Sequence, residues 1–424
     1  MKCKLLATTM LAATFLFGCT MKDNNSNNNV DVFLIPAGFG NKCGYINTTG
    51  NWEINPQYDK ALNFKENGLA VVKLNGKYGY IDKTGNWVIN PQFDDAYDFK
   101  EEGLAKVKLN YKYGFVDKTG KWVVTPQFDK AWSFKNGFAR VKLNDQWSYV
   151  DKSGKLIATP QFDDAWDFSE NGLANVKLNG KYGYINKKGK LVINPQFDRS
   201  SNFVDNDLAA AVVCDTETKM WDIIEKWGYI DRNGHWVVEP QFDKVGYFVE
   251  DNLATIKLND KWGYINKEGR IVVSPQFDDA RDFFAKYGLA AVNQNGKWGY
   301  IDKTGEIVIK PQFDRFEKFA ENGLARVILN GKWGYIDTTG KMVIKSQFDD
   351  ADDFAEIGLA AIKLNGKWGC IDETGKQLVN TLYDEVKFYK NIIFVKQNGK
   401  WGIVDKNGNI VAEPQFDWVV YKNS

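Results

Sequence analysis

Four short clusters of carboxylates are the residues of this chain whose types and spacing suit metal binding or acid–base chemistry. In each, two adjacent Asp residues are followed by a third Asp three positions later. Several carboxylate oxygens together suit Ca²⁺, and paired carboxylates are the apparatus of glycoside hydrolysis. The clusters are Asp94-Asp95-Asp98, Asp163-Asp164-Asp167, Asp278-Asp279-Asp282 and Asp349-Asp350-Asp353.

The other copies of this segment argue against both chemistries. The clusters lack the Gly and the distal Glu of an EF-hand loop, and no carboxylate pair is distinguished from the rest, as an active site would require. We therefore predict no catalytic residue, no metal site, no cofactor and no enzyme activity, with an envelope polysaccharide-active enzyme as the alternative. In several copies the second Asp is replaced by Lys60, Lys130, Arg199, Lys244 or Arg315.

Histidine and charge exclude further classes of function. The chain has one His, His235, beside a turn Gly, so a site built on several His residues is excluded. No phosphate-binding glycine motif is present. Lys and Arg number 55 against 54 Asp and Glu, which gives no basic bias toward nucleic acid.

Aromatic residues are better candidates for binding. Tyr97, Trp132 and Trp166 occupy one position in three adjacent copies and would form an aromatic ladder if the copies stack in register. Such rings can stack on sugars or anchor a protein, and Asp98 and Asp167 beside them could accept hydrogen bonds from hydroxyls. The alternative is that the rings cover the core of the preceding repeat. In other copies this position is Leu62, Ser201, Gly246, Arg281, Glu317, Asp352 or Lys387.

The elements that position these residues are repeats of about 35 residues, eleven in number. An aromatic-Gly pair recurs every 33 to 36 residues, with one spacing of 45 that predicts an insertion around residues 212–225. Each copy also carries a second Gly and a Pro-Gln-Phe-Asp motif or a variant of it. The first Gly of each copy is Gly44, Gly79, Gly114, Gly183, Gly228, Gly263, Gly299, Gly334, Gly369 or Gly402, with Ser148 in the fourth copy.

This pattern resembles the bacterial WG-repeat family, which is named for the Trp-Gly pair. The pair stands here as Trp262-Gly263 and Trp333-Gly334, for example, and the resemblance covers residues 34–420. It implies a repeat architecture and a bacterial source, and it does not imply a particular activity.

Each repeat has the chemistry of a β-meander. Residues 69–75, 77–82 and 86–90 are rich in β-branched and aromatic residues and are separated by Asn75-Gly76 and by a turn ending at Gly85. Pro91 should end the third strand, and residues 94–103 should return the chain. One meander cannot bury its own apolar face, so the recurring aromatic residues should form a core between repeats.

The predicted fold class is therefore all-β, with three-stranded antiparallel repeats stacked into an open, superhelical β-solenoid. A closed β-propeller ring is the alternative, and propellers usually have four to eight four-stranded blades. The divergent first residues, around Phe33, and the last, around Trp418, should then be caps at the two ends.

The N-terminus has the features of a lipoprotein signal sequence. Residues 1–18 have a short basic segment and an apolar stretch of 13 residues, typical of a signal peptide. Leu16-Phe17-Gly18-Cys19 resembles a bacterial lipobox, which predicts lipidation of Cys19. The polar residues 19–29 predict a disordered tether, and residues 30–424 hold the repeats.

These features predict a non-catalytic, surface-tethered lipoprotein that presents an extended face for binding or scaffolding. Its partner would be an envelope or host protein or glycan, with the membrane reached only through the lipid anchor and no nucleic acid bound. The predicted location is the bacterial cell envelope, at the outer membrane if the cell has one and otherwise at the cell surface. A passive structural spacer is a third possibility.

Overall fold

A computed structural model describes residues 33–100, 102–204, 207–214, 225–248, 252–283 and 286–420. The predicted signal peptide (1–18), Cys19, the tether (19–29) and most of the insertion around 212–225 lie outside these ranges. Residues from Leu34 onward form one compact unit. The described ranges contain strands and turns without helices, and they contain no helix long and apolar enough to cross a membrane.

The strands group into eleven antiparallel sheets, here called blades and numbered in chain order. Blade 1 holds β1 (Ile35–Phe39), β2 (Lys42–Ile46) and β3 (Trp52–Tyr58). Blade 2 holds β4 (Lys60–Ala61), β5 (Ala70–Leu74), β6 (Lys77–Ile81) and β7 (Trp87–Phe93). Blade 3 holds β8 (Asp95–Ala96), β9 (Leu104–Leu109), β10 (Lys112–Asp117) and β11 (Trp122–Phe128). Blade 4 holds β12 (Lys130–Ala131), β13 (Phe138–Leu143) and β14 (Gln146–Asp151).

The next four blades repeat the four-stranded plan. Blade 5 holds β15 (Asp164–Ala165), β16 (Leu173–Leu178), β17 (Lys181–Asn186) and β18 (Leu191–Phe197). Blade 6 holds β19 (Arg199–Ser200), β20 (Ala209–Val212), β21 (Trp227–Ile230) and β22 (Trp236–Phe242). Blade 7 holds β23 (Lys244–Val245), β24 (Leu253–Leu258), β25 (Lys261–Asn266) and β26 (Ile271–Phe277). Blade 8 holds β27 (Asp279–Ala280), β28 (Leu289–Gln294), β29 (Lys297–Asp302) and β30 (Ile307–Phe313).

Three further blades and one short strand complete the chain. Blade 9 holds β31 (Arg315–Phe316), β32 (Ala325–Leu329), β33 (Lys332–Ile336) and β34 (Met342–Phe348). Blade 10 holds β35 (Asp350–Ala351), β36 (Leu359–Leu364), β37 (Lys367–Asp372) and β38 (Gln377–Tyr383). Blade 11 holds β39 (Glu385–Tyr389), β40 (Ile392–Gln397), β41 (Lys400–Val404) and β42 (Ile410–Phe416). The last strand, β43 (Trp418–Val419), pairs with β1 and completes blade 1.

The pairing of β43 with β1 closes the chain into an eleven-bladed ring. Ala37 lies opposite Val419 and Gly38 opposite Trp418, and the Val420 amide donates to the carbonyl of Pro36 at 3.1 Å. The prediction of an open solenoid is therefore wrong, and the propeller alternative is confirmed. The two ends are not caps, because each supplies strands to the same sheet.

The repeat is also four-stranded rather than three-stranded. The return loop begins with a two-residue strand, such as β8, that pairs with the next long strand through Asp95 opposite Lys108 and Ala96 opposite Val107. Pro91 does not end the third strand, which continues through it to Phe93. This strand is the edge of its sheet, where a residue that lacks an amide hydrogen leaves no ladder bond unmade.

The two predicted turns are confirmed. Asn75 and Gly76 both have positive φ, as the tight hairpin requires. In the second turn, Asp82 Oδ1 accepts hydrogen bonds from the amides of Thr84 and Asn86, at 2.9 and 3.0 Å, and Gly85 closes the turn with a φ of 87°. These local bonds explain why every copy needs an Asp or Asn at the first position of this turn.

Blade 4 shows why the first Gly of each repeat is required. A Cβ on Gly114 would lie 2.5 Å from the carbonyl oxygen of Val124 on the neighbouring edge strand. Ser148 stands at this place in blade 4, and its hydroxyl donates to Ala158 O at 2.5 Å. The edge strand is interrupted there, leaving only isolated bridges to β14 at Phe162 and Leu156. The side chain of Ser148 therefore displaces the fourth strand.

A turn Gly lies against the preceding blade at each interface of the ring. In most blades this second Gly packs on an aliphatic side chain, as Gly85 does on Ile54, whereas Gly189 and Gly408 lie chiefly against backbone atoms. Gly50 of blade 1 packs in the same way on Ala412 of blade 11, so the closing interface repeats the others. The predicted inter-repeat core is confirmed, since Trp333 and Phe348 are both buried in a cluster shared by blades 9 and 10.

Candidate binding site

The aromatic ladder position lies at the same place in each blade, directly after the short first strand. A buried Tyr of one blade fixes it, because its hydroxyl donates to the backbone carbonyl of the ladder residue in the next blade. Tyr80 bonds Tyr97 O at 2.8 Å, and Tyr149 bonds Trp166 O at 2.7 Å. Trp132 lacks this bond, because Phe115 stands in place of the Tyr in blade 3. The amides of Tyr97, Trp132 and Trp166 nevertheless all donate to the next strand of their own blade, which places the three residues equivalently on blades 3, 4 and 5.

Each ladder ring contacts its own blade. Trp132 is 43% exposed and packs edge-on against Trp147, with ring centroids 5.3 Å apart. Trp166 packs at 5.5 Å on Tyr182, the residue before the first Gly of blade 5. These packing partners differ from the core of the preceding repeat that the sequence alternative named, and the ladder rings remain partly exposed.

The two Asp residues beside the ladder take part in ion pairs between blades. The carboxylate of Asp98 lies 3.1 Å from Lys65 Nζ of blade 2, and that of Asp167 lies 2.6 Å from Arg140 Nε of blade 4. Arg140 also lies over the Trp132 ring, 4.8 Å from its centroid. Charged side chains that join adjacent blades therefore lie beside the ladder rings.

A position that the sequence analysis missed supplies Arg140 and its equivalent Lys106. It is the third residue of the Leu-Ala-x-Val strand, and its side chain reaches the backbone carbonyl of the short strand in the next blade. Lys106 donates to Ala131 O at 3.0 Å, and Arg140 donates to Ala165 O at 2.6 Å. In the sequence, the only signal of this position is that its residue varies between otherwise similar strands.

A second repeated cation follows two residues later. Lys108 lies directly across the strand pair from Tyr113, and its Nζ is 5.2 Å from the ring centroid. Lys73 lies over Tyr78 at 5.1 Å and Lys177 over Tyr182 at 5.3 Å in the same way. Such contacts stabilise a partly exposed ring and hold the ammonium group on the same surface.

The three Asp residues of each carboxylate cluster have separate partners. In blade 3, Asp94 accepts from Lys77 Nζ at 2.5 Å and from the Asn110 amide at 2.7 Å, while Asp95 accepts from the Ala96 amide at 3.0 Å. The hydrogen bond from Lys77 lowers the pKa of Asp94 below its ordinary value. Among the described residues there is no group of three or more His, Cys, Asp or Glu side chains placed to hold a metal ion.

The remaining titratable candidates have structural roles. His235 Nδ1 lies 3.6 Å from Asp231 at an exposed turn. Cys43 and Cys370 are buried, and burial raises the pKa of each thiol to about 11, so both are protonated at neutral pH. Both cysteines thus fill the core as small apolar residues.

Eleven blades, ten of them four-stranded, joined into a ring define a β-propeller, here with blade-specific aromatic and charged side chains on a common skeleton. The chain matches the WG containing repeat at residues 44–78, 78–113, 113–147, 147–182, 182–214, 227–262, 262–298, 298–333, 333–368, 368–401 and 401–423. It belongs to the WG containing repeat family. A search of curated proteins found no match.

Solved structures offer only distant likenesses. A eukaryotic initiation factor aligns over 82% of this chain and 95% of its own, with 8% identity and a TM-score of 0.45. Dipeptidyl peptidase 4 of Porphyromonas gingivalis aligns over 79% of this chain and 63% of its own, with 10% identity and a TM-score of 0.39. At TM-scores below 0.5 these likenesses carry no conclusion about this chain.

Proposed function

We propose that this protein is a non-catalytic binding or scaffolding ring of the bacterial cell envelope, anchored by a lipid on Cys19. Its partner is an envelope or host protein or glycan. The observation that carries the proposal is the variation of the ladder position on an otherwise repeated skeleton. That position is aromatic in blades 3 to 5 and becomes Arg281, Glu317 and Asp352 in blades 8 to 10. The backbone at this position is hydrogen-bonded in the same way in these blades, so the change of side chain supports recognition over a change of fold.

The disposition of the carboxylates supports a binding role over the enzyme alternative. A glycosidase needs one acid and one base flanking a common substrate position. In blade 3 the three Asp side chains bond a Lys, their own backbone and the preceding blade. Asp353, whose pKa is raised by partial burial, is likewise held by Arg326 Nε at 2.9 Å.

The experiment compares the chain of residues 19–424 with a Trp132→Ala/Trp166→Ala variant. Both are used to capture partners from peptidoglycan, envelope polysaccharide and host-surface extracts. Arg281→Ala is the matched control, because it changes the same position on blade 8. Saturable capture by the parent and the control, lost in the double variant while its circular dichroism is unchanged, is expected. Equal capture by all three proteins would remove the ladder as the binding face and favour a passive spacer.

The anchor is tested separately. Cells that express the whole chain are fed an alkyne-labelled fatty acid and then fractionated. Label on the wild-type protein in the membrane fraction, absent from a Cys19→Ser variant, is expected. Label retained by the variant would refute lipidation at Cys19 without affecting the binding proposal.

A further inference from the structure

Tyr111 has an unusual backbone conformation. It is the second residue of the hairpin turn between β9 and β10, with a φ of 65°, and its side chain is 86% exposed. A bulky residue with positive φ is strained, and such strain persists where it serves a function. Other hairpins have Gly here, at Gly76, Gly180, Gly296, Gly331, Gly366 and Gly399, or Asp, at Asp145 and Asp260.

Tyr111 ends a continuous row of rings and ammonium groups on blade 3. Lys106 Nζ lies 3.7 Å from the Tyr97 centroid and 5.3 Å from that of Tyr113. Lys108 Nζ lies 5.2 Å from the Tyr113 centroid and 5.9 Å from that of Tyr111. We call Tyr97, Lys106, Tyr113, Lys108 and Tyr111 the blade-3 row.

Lys108 lacks the hairpin carboxylate that two of its equivalents have. Within the described residues, Lys73 and Lys177, whose hairpins have Gly at that position, form no ion pair either. In blade 4, Lys142 forms an ion pair with Asp145 of its own hairpin at 3.1 Å, and Lys257 of blade 7 pairs with Asp260 at 2.8 Å. Tyr111 stands at that position in blade 3. Within the described part of the chain, Lys108 forms no ion pair.

The counter-charge of Lys106 is missing for a similar reason. Arg140 pairs with Asp167 of the following blade at 2.6 Å, and Arg326 pairs with Asp353 at 2.9 Å. The residue at this position in the blade after Lys106 is Ser133. Asp95 faces the lysines from β8 but lies beyond ion-pair distance of either, in the region that the structure describes. Asp95 acts on Lys106 electrostatically from beyond that distance, so blade 3 combines a partly compensated Lys106 and an unpaired Lys108 with the exposed Tyr111 ring.

We propose that the blade-3 row binds an acidic polysaccharide whose sugar units carry carboxylates, such as a polyuronate. This inference rests on the proposed binding function and names its ligand class and its place. The exposed Tyr111 ring offers a flat apolar face to the C–H face of a pyranose, and Lys108 and Lys106 offer ammonium groups to its carboxylates. An acidic peptide has no flat face to match the ring. A single-stranded nucleic acid needs several open rings, whereas Lys106 covers Tyr97.

The test uses isothermal titration calorimetry on the chain of residues 19–424. The probes are an oligogalacturonate and its carboxyl-reduced neutral form, with an oligoglutamate peptide and an oligothymidylate as the competing classes. Binding of the oligogalacturonate, at least about tenfold tighter than that of the neutral form and weaker at high salt, is expected. Preference for the peptide or the oligonucleotide would overturn the assignment of ligand class.

Three variants locate the site. Tyr111→Gly and Lys106→Gln/Lys108→Gln should each weaken oligogalacturonate binding about tenfold or more. Lys363→Gln, which removes the equivalent of Lys108 from blade 10, where the ladder position is Asp352, should leave it unchanged. Tyr111→Gly relieves backbone strain, so its loss of affinity is not a folding defect. Equal affinity of parent and blade-3 variants, or no binding by the parent, would overturn the inference, while the capture experiment on Trp132 and Trp166 still decides the proposed function.

Discussion

Closure of the ring can be tested by the energetic coupling of two residues at opposite ends of the chain. Gly38 of β1 lies opposite Trp418 of β43, and a Cβ added to Gly38 would lie 2.1 Å from Trp418 Nε1. The indole is partly buried against the core of blade 1. Gly38→Ala and Trp418→Ala are therefore independent in an open solenoid and strongly coupled in a closed ring.

The magnitudes follow from these contacts. Trp418→Ala should lower the free energy of unfolding by about 2 kcal/mol, because it removes part of a large apolar side chain from the core. Gly38→Ala should lower it by about 1–3 kcal/mol, since the indole must move out of its place. In the double variant the clash is absent, so the loss should be close to that of Trp418→Ala alone. The coupling energy is then about 1–3 kcal/mol.

The assay is urea unfolding followed by circular dichroism for the parent, the two single variants and the double variant. The slopes of the transitions must agree, because altered slopes would indicate altered intermediates in a chain of this length. Additivity of the two single losses, within about 0.5 kcal/mol, would refute contact between the two ends and so the closed ring.

Three further predictions concern single blades and pH. Tyr111→Gly should raise the free energy of unfolding, measured in urea, by about 1 kcal/mol, because Gly adopts a φ of 65° without strain. A decrease would show that the strain energy is smaller than the stabilisation from the contacts of the Tyr111 ring. Gly114→Ser should cost about 1–3 kcal/mol and speed hydrogen exchange in residues 122–128, as the interrupted strand of blade 4 indicates; unchanged exchange would mean that Ser148 does not cause that interruption. Burial raises the pKa of tyrosines such as Tyr264 and Tyr335, so the unfolded chain ionises at lower pH than the ring. Stability should therefore be complete below about pH 10 and fall as the pH rises further. Tyrosinate absorbance and loss of circular dichroism should then change together, and ionisation of these tyrosines in a still-folded ring would contradict this linkage.

Much of the blade could be predicted from the sequence because its turns and long strands are determined by residues close together in the chain. Asn75-Gly76 and the turn closed by Gly85 require positive φ, which few residues adopt, and the side chains of the strands beside them alternate in a recognisable pattern. The short fourth strand could not be predicted, since a two-residue strand such as Asp95–Ala96 has no periodicity of its own. Pro91 was misleading because its effect depends on whether a strand is at an edge, which is a property of the sheet.

Closure was missed because identical repeats have the same local sequence in an open and in a closed array. The angle between blades depends on packing, such as that of Gly85 on Ile54, which the pattern does not reveal. One signal was present at the ends. Trp418 and Val419 follow the last Pro-Gln-Phe-Asp motif as one more short strand, and the first repeat lacks a short strand of its own. Together they make one complete blade.

The ladder was found from the sequence because its aromatic residues contrast with other copies at the same position. The blade-3 row was not, because it is distinguished by the exposed Tyr111 together with the absence, among the described residues, of an ion-pair partner for the two lysines beside it. That absence is visible only once the pairs Arg140–Asp167 and Lys142–Asp145 show which positions meet. Arg140–Asp167 and Arg326–Asp353 are each 27 residues apart, a separation that spans two repeats and that the pattern of a single repeat does not display.

The packing of a turn Gly on the preceding blade recurs at every interface, so the bending of the chain is shared equally around the ring. Each of eleven blades turns the chain by about 33°, and a ring of ten or twelve would need about 36° or 30°. Neighbouring repeats are so similar that unequal recombination between them can add or delete one whole unit. Because the first and last strands meet in a single sheet, the altered ring would still close through Gly38 and Trp418. Ring diameter is therefore a trait that can evolve by copy number, without the redesign of any blade.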